Sequence, residues 1–115
     1  MQLFTDLFPN RHLAEMWMRR HSGILSRCYV TSCAAYPNYG GRGIKMYEPW
    51  RVDRREFFIY AKTMPGWDEH GLDLDRIDND RDYEPGNLRI VDRKVNSRNR
   101  RKTAFIEYQG KRLPL

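Results

Sequence analysis

Residues 74–98 read LDRIDNDRDYEPGNLRIVDRKVNSR, and this stretch decides the fold because its pattern of polar and apolar residues changes along it. Over residues 72–77, apolar side chains alternate with charged ones, which predicts a half-buried strand. A polar loop containing Pro85-Gly86 follows at residues 79–86. Residues 88–90 alternate again and predict the return strand of an antiparallel pair.

A basic helix is predicted after the second strand, from Asp92 as its N-cap to about Lys102. Three of its polar residues lie three and four positions apart and therefore share one face: Arg93, Asn96 and Arg100. The two strands can then present Asp75 to a helix that presents Asn96.

The charge of the chain is high and unevenly placed. Its 115 residues fit one domain (1–115), and a net charge of +6 with an isoelectric point of about 9.6 favours a polyanionic partner. Eight of the fifteen acids lie in residues 68–84: Asp68, Glu69, Asp73, Asp75, Asp78, Asp80, Asp82 and Glu84. A basic cluster follows: Arg93, Lys94, Arg98, Arg100, Arg101 and Lys102. A phosphate backbone attracts the basic cluster, and a divalent cation takes members of the acidic one.

The acidic loop shares the opening spacing of an EF-hand calcium site, in Asp78, Asp80 and Asp82. Its sixth position is Tyr83, where the turn needs glycine, and its twelfth is Arg89, where a bidentate glutamate is needed. The ligand pattern therefore disfavours calcium sensing.

The two cysteines, Cys28 and Cys33, are too few for a four-thiolate zinc site. Adding His12 and His21 gives an order and spacing unlike those of zinc fingers, so small buried or free thiols are preferred, with a disulfide left open. No basic start precedes a long apolar run, and no stretch approaches the roughly 20 apolar residues of a membrane span. The expected compartment is the cytoplasm.

The N-terminal region predicts a helix and then a loop. Asn10 is the expected N-cap of a helix whose apolar residues recur at helical spacing: Leu13, Trp17, Ile24 and Cys28. A loop follows at residues 29–43, where Gly40-Gly41 permits a positive φ or a close backbone approach. Tyr39 and Arg42 flank these glycines, which suits contact with a nucleotide strand and is explained nearly as well by a structural turn.

A short strand is predicted at residues 44–47, and a second helix covers about residues 54–64. Asp53 is the expected N-cap of that helix, and Pro65-Gly66 ends it. Its aromatic residues, among them Phe57 and Phe58, are expected in the core.

Beyond these patterns, LDRIDNDRDYEPGNLRIVDRKVNSRNRR (residues 74–101) resembles the core of phage-type HNH endonucleases, in which two β-strands and a helix surround one metal ion. The resemblance continues upstream in YGGRGI (residues 39–44), in the Tyr-Glu-Pro-Trp that follows, and in Arg27-Cys28-Tyr29. It covers approximately residues 17–102. The implied fold class is α+β, with a ββα-metal core at about 72–102, N-terminal helices, and a β-hairpin at 104–115.

The resemblance also implies roles for individual residues. Asp75 matches the first metal ligand and Asn96 a second one, which together would hold one Mg²⁺ or Mn²⁺. Asn87 matches the middle asparagine of the motif, which ties the loop to the ββα frame.

The chain departs from the family at Arg76, where a histidine usually acts as the general base. Arginine does not release its proton near neutral pH, but it can hold a phosphate oxygen and stabilise the transition state. The candidates for activating water are then Tyr39, His70 and water bound to the metal, with Tyr39 preferred to His70.

The resemblance therefore implies a metal-dependent DNA endonuclease that nicks or cuts both strands. Duplex DNA is the expected partner, with Arg42 and the basic cluster on its backbone, and a homodimer is left open. The alternative is a DNA-binding protein that has lost catalysis through the change at Arg76. RNA is a weaker candidate, because backbone contacts alone do not identify the sugar.

Overall fold

The computed structural model describes residues 6–92 of the chain. Within these residues it combines helices with one small antiparallel sheet, an α+β arrangement as predicted. The elements, in chain order, are α1 (Arg11–Tyr29), α2 (Glu48–Val52), α3 (Arg54–Ala61), β1 (Leu72–Arg76) and β2 (Leu88–Asp92). The predicted helix at 92–102 with Asn96, the basic cluster, and the predicted hairpin at 104–115 lie outside the described residues.

Helix α1 begins where the sequence predicts it. The side chain of Asn10 accepts a hydrogen bond from the Leu13 backbone N–H at 2.9 Å, which satisfies one of the free donors of the first turn. The helix buries the predicted stripe, including Trp17 and Ile24, against α3. No helix in the described part of the chain has the length and apolarity that a bilayer crossing requires.

The segment between α1 and α3 differs from its prediction. The loop contains two short 3₁₀ turns, Tyr36–Asn38 and Gly40–Arg42, and helix α2 follows where no helix was predicted. The predicted strand at 44–47 is reduced to a single parallel bridge between Met46 and Tyr83. A longer strand cannot form because α2, with Pro49 in its first turn, begins directly after Tyr47.

Helix α3 is capped as predicted but is shorter. The Asp53 side chain accepts a hydrogen bond from the Arg55 backbone N–H at 3.0 Å. The helix ends at Ala61 because the N–H groups of Thr63 and Met64 bond three residues back instead of four. Its aromatic residues enter the core as predicted: Phe57 packs on Trp17, with ring centroids 5.8 Å apart.

Strands β1 and β2 form the predicted hairpin. Their register pairs Leu74 with Ile90, Asp75 with Arg89, and Arg76 with Leu88. Since side chains alternate across a strand, the Arg76–Leu88 and Leu74–Ile90 pairs form an inner face that packs on the core. The Asp75–Arg89 pair lies on the opposite, outer face.

Two hydrogen bonds join helix α1 to the start of the hairpin. The Trp17 indole N–H donates to the Trp67 carbonyl at 2.8 Å, and Arg20 donates to the Leu72 carbonyl at 2.8 Å. The guanidinium of Arg20 also lies over the Trp17 ring, 4.5 Å from its centroid. These contacts orient the start of the sheet against the helix.

Candidate functional site

Asn87 organises the polar loop between the strands. Its side chain is 1% exposed, and its Oδ1 accepts a hydrogen bond from the Asp78 backbone N–H at 2.8 Å. Its Nδ2 donates to the backbone carbonyls of Asp78 and Asp82, at 3.2 and 2.8 Å. One buried amide thus ties both ends of the loop together. This geometry is the one that the structural role expected of Asn87 requires.

The three aspartates with calcium-like spacing face separate partners. Asp78 accepts from the Asp80 backbone N–H, Asp80 pairs with Arg42 at 2.7 Å, and Asp82 accepts from the Lys45 backbone N–H. They do not converge on one point. Across residues 6–92, no group of three or more metal-ligating side chains comes together. The cysteines and histidines that were weighed for zinc are included in this statement.

Cys28 and Cys33 are both free thiols, as preferred from the sequence. Cys28 is buried, and burial raises its pKa to about 11 although Arg27 and Arg76 act to lower it. His21 is buried too, with Nε2 2.8 Å from the Trp50 carbonyl oxygen, and belongs to the core.

An ion pair between Asp75 and Arg89 lies on the outer face of the hairpin. Nε and one terminal nitrogen of Arg89 lie 3.1 and 3.0 Å from the same oxygen, Oδ2 of Asp75. The Asp75 side chain is 21% exposed and that of Arg89 39%. Among the described residues no hydrogen bond or ion pair involves Oδ1 of Asp75.

These residues fit a hard divalent cation in donor chemistry. Mg²⁺ is commonly held by one or two protein carboxylates, with water and substrate phosphate completing its octahedron. Oδ1 of Asp75, which has no partner within residues 6–92, is one such oxygen. The second expected ligand, Asn96, lies outside the described residues.

Arg76 has a different environment from its neighbour Asp75. Its guanidinium is buried, 6% exposed, and donates to the backbone carbonyls of Asn79 and Arg81 at 2.6 and 2.8 Å and to Oδ1 of Asn79 at 3.0 Å. It also lies beside the rings of Tyr39 and Tyr83, 5.2 and 5.1 Å from their centroids. A phosphate clamp was expected here. In the structure Arg76 bonds to the loop, and a contact between Arg76 and a phosphate stays a prediction.

Tyr39, the preferred candidate base, forms an inner cluster with Arg76 and Tyr83 on the core side of the hairpin. Its ring stacks on Tyr83 at 6.3 Å, and the guanidinium of Arg27 lies 5.3 Å from its centroid. Arg27 in turn donates to the Tyr83 hydroxyl. Because Tyr39 contacts Arg76, it lies on the inner side of the hairpin, away from the face that carries Asp75.

His70, the other candidate base, lies before the start of β1. It is exposed, and its ring meets that of His12 edge to face, with centroids 6.4 Å apart. Asp75 is three residues beyond Leu72 along the strand, roughly 10 Å at the usual rise. The structure therefore brings His70 together with His12, and with neither Tyr39 nor Arg76.

Arg42 links the glycine-rich turn to the polar loop. Besides its ion pair with Asp80, it donates to the carbonyls of Asn38 and Asn79 at 3.2 and 3.3 Å. Its side chain is still 36% exposed. A contact between Arg42 and a nucleic acid stays a prediction, and its visible function is to hold two loops together.

The sequence patterns missed two residues of this site, Arg89 and Tyr83. Arg89 was weighed only as a failed calcium position, although counting outward from the loop pairs it with Asp75. Tyr83 was also weighed only for calcium, and it forms the bridge to Met46 and carries the inner cluster. The register of the hairpin could have identified Arg89, whereas no local pattern indicates the long-range contact of Tyr83.

No protein-family model, curated protein or solved structure matches this chain. The geometry of the hairpin and the sequence resemblance are therefore the two sources of support for a function. Both point to the loop that Asn87 holds and to the outer face beside it.

Proposed function

We propose that the protein is a metal-dependent DNA endonuclease of the ββα-metal type, which nicks or cuts phosphodiester bonds. The observation that carries the proposal is a hairpin whose loop is held by Asn87 and whose outer face carries Asp75, with no residue of the described range 6–92 bonded to its Oδ1. Asp75 and Asn96 hold one Mg²⁺ or Mn²⁺. The basic cluster binds the DNA backbone through charge.

Each part of the chain contributes a separate function to this chemistry. Bound at Asp75, the divalent cation supplies Lewis-acid activation of the phosphate and of water. Asn87 keeps the loop, and with it the position of Asp75, from shifting. Arg76 supports the same loop from the inside through its bonds to Asn79 and Arg81. Tyr39 and His70 stay candidates for a side-chain base, to be separated by Tyr39→Phe and His70→Ala.

A plasmid-cleavage assay tests the proposal. The protein should nick supercoiled DNA with Mg²⁺ or Mn²⁺ and stop when EDTA is added. Asp75→Asn should lower the rate by about 100-fold or more, because it removes the anionic ligand. The matched control is Asp73→Asn, which changes an acid on the same face of the same strand and should cleave nearly as the parent does. Equal rates for the parent and Asp75→Asn would refute the site.

The second candidate is a DNA-binding protein without catalysis. The observation that favours it is the arginine in place of the usual base, together with the structural use of that arginine in the loop. Such a protein binds duplex DNA in EDTA with an affinity that falls steeply with salt. It cleaves neither DNA nor RNA with Mg²⁺, Mn²⁺, Ni²⁺ or Zn²⁺. A parallel assay on RNA of the same sequence distinguishes the two nucleic acids.

A further inference from the structure

We propose that Arg89 is the phosphate-binding cation of this site and that it exchanges its partner, from Asp75 to a DNA phosphate, when a divalent cation binds. The inference deepens the proposed function and rests on it. It transfers to Arg89 the role that the sequence suggested for Arg76.

The register of the sheet places Arg89 in the right position. It stands directly opposite Asp75 in the antiparallel pair, so both side chains project from the outer face. Arg76 follows Asp75 in sequence but projects to the inner face, where backbone carbonyls of the loop take its donors. A phosphate that approaches Asp75 from solvent therefore meets Arg89 and not Arg76.

The ion pair between Arg89 and Asp75 allows Arg89 to change its partner. Arg89 donates one hydrogen bond, from Nε to Oδ2 of Asp75, and a terminal nitrogen lies 3.0 Å from the same oxygen. The arginine side chain is 39% exposed. The pair is half-buried, with the Asp75 side chain 21% exposed, and solvent screens it on the arginine side, so the exchange costs only a modest amount of free energy. Arginine also suits the second partner, because its planar fork matches two oxygens of a phosphate.

The charges predict coupling between the metal and DNA. With no DNA bound, the positive charge of Arg89 beside Asp75 weakens the binding of a second cation to that carboxylate. A phosphodiester gives Arg89 a new anionic partner and so removes this opposition. Metal and DNA should each strengthen the binding of the other, and the effect must be reciprocal.

The test compares Arg89→Gln with Arg89→Lys by calorimetric titration with Mn²⁺ alone. Arg89→Gln removes the charge and should bind Mn²⁺ about 3- to 10-fold more tightly than the parent. Arg89→Lys keeps the charge and should stay near the parent. Thermal melting of both variants verifies folding. Unchanged or weaker Mn²⁺ binding by Arg89→Gln would overturn the proposal.

A second measurement follows DNA. In single-turnover cleavage of a duplex, Arg89→Gln should be about 100-fold slower, although it binds the metal more tightly. A merely structural role would weaken metal binding and cleavage together, and that result would also overturn the proposal. If the parent cleaves no substrate, the proposed endonuclease function fails, while the Mn²⁺ titration still decides whether Arg89 opposes a cation at Asp75.

Discussion

The two faces of the β1–β2 hairpin handle positive charge in opposite ways. On the inner face, the guanidinium of Arg76 is buried and its terminal nitrogens bond to the loop. On the outer face, Arg89 is half exposed and bonds to a single carboxylate oxygen. Buried groups bonded to the backbone stabilise a fold, whereas a part-exposed group in an ion pair can exchange its partner for a ligand at small cost. Adjacent residues such as Asp75 and Arg76 can thus serve different ends.

The largest expected effect comes from Asn87, which holds the loop between the two strands. Asn87→Ala removes three hydrogen bonds and leaves backbone groups of Asp78 and Asp82 without this partner. We expect a loss of about 3 kcal/mol in the free energy of unfolding, measured with urea. Asn38→Ala, at an exposed turn, is the control and should change little. A stable Asn87→Ala variant would mean that the loop does not depend on this amide.

The reactivity of the Cys28 thiol reports whether water reaches the inner side of the hairpin. Because burial raises its pKa to about 11, its thiolate is scarce at pH 8. We expect iodoacetamide to modify it about 100-fold more slowly than a thiol of ordinary pKa. The single-cysteine variants Cys33→Ser and Cys28→Ser separate the two thiols, and the half-exposed Cys33 should react faster. Equal rates would show that water reaches the inner side.

The contrast between the two arginines is tested directly by replacing each with methionine. Arg76→Met should lower the free energy of unfolding by about 2 kcal/mol, because carbonyls of Asn79 and Arg81 lose charged donors. Arg89→Met should change it by less than about 1 kcal/mol. Urea denaturation of both variants measures the difference. Similar losses for the two would remove the distinction between the faces.

The smallest effect concerns pH. Burial lowers the pKa of His21, with Arg54 acting in the same direction and the bond to Trp50 opposing it. The folded protein therefore binds this proton less readily than the unfolded chain, so stability is complete above about pH 6.5 and falls below it. We expect a loss of about 1 kcal/mol between pH 7 and pH 5.5. His21→Gln should reduce this slope, and the exposed His70→Gln should keep it.

Periodicity and caps predicted much of this fold. Asn10 and Asp53 cap the helices as expected, and the alternation of residues 72–77 and 88–90 predicts the hairpin. The strand predicted at 44–47 is only a bridge in the structure. Its partner, Tyr83, is almost forty residues away in sequence, so local alternation could not predict the length of the pairing. Helix α2 has only five residues, too few for a helical period to be visible.

Prediction of the site was limited because residues that are neighbours in the sequence can project their side chains to opposite faces of a strand. The metal-ligand role of Asp75 stays a prediction, and Asn87 has the geometry that its role requires. Arg76 was expected beside the phosphate because it stands where the endonucleases that the sequence resembles carry a histidine. Successive side chains in a strand point to opposite faces, and Arg76 lies on the inner face. Pairing the strands first would have directed attention to Arg89.

The bridge between Met46 and Tyr83 has a consequence for engineering. Tyr83 accepts a hydrogen bond from the Tyr47 backbone N–H and donates its own N–H to the Lys45 carbonyl, at 2.8 and 3.0 Å. The loop of the hairpin is thereby bonded to a segment almost forty residues earlier in the chain. A peptide of residues 72–92 lacks these partners, so it should not reproduce the conformation of the loop on its own. A transplanted version must carry the segment around Met46 with it.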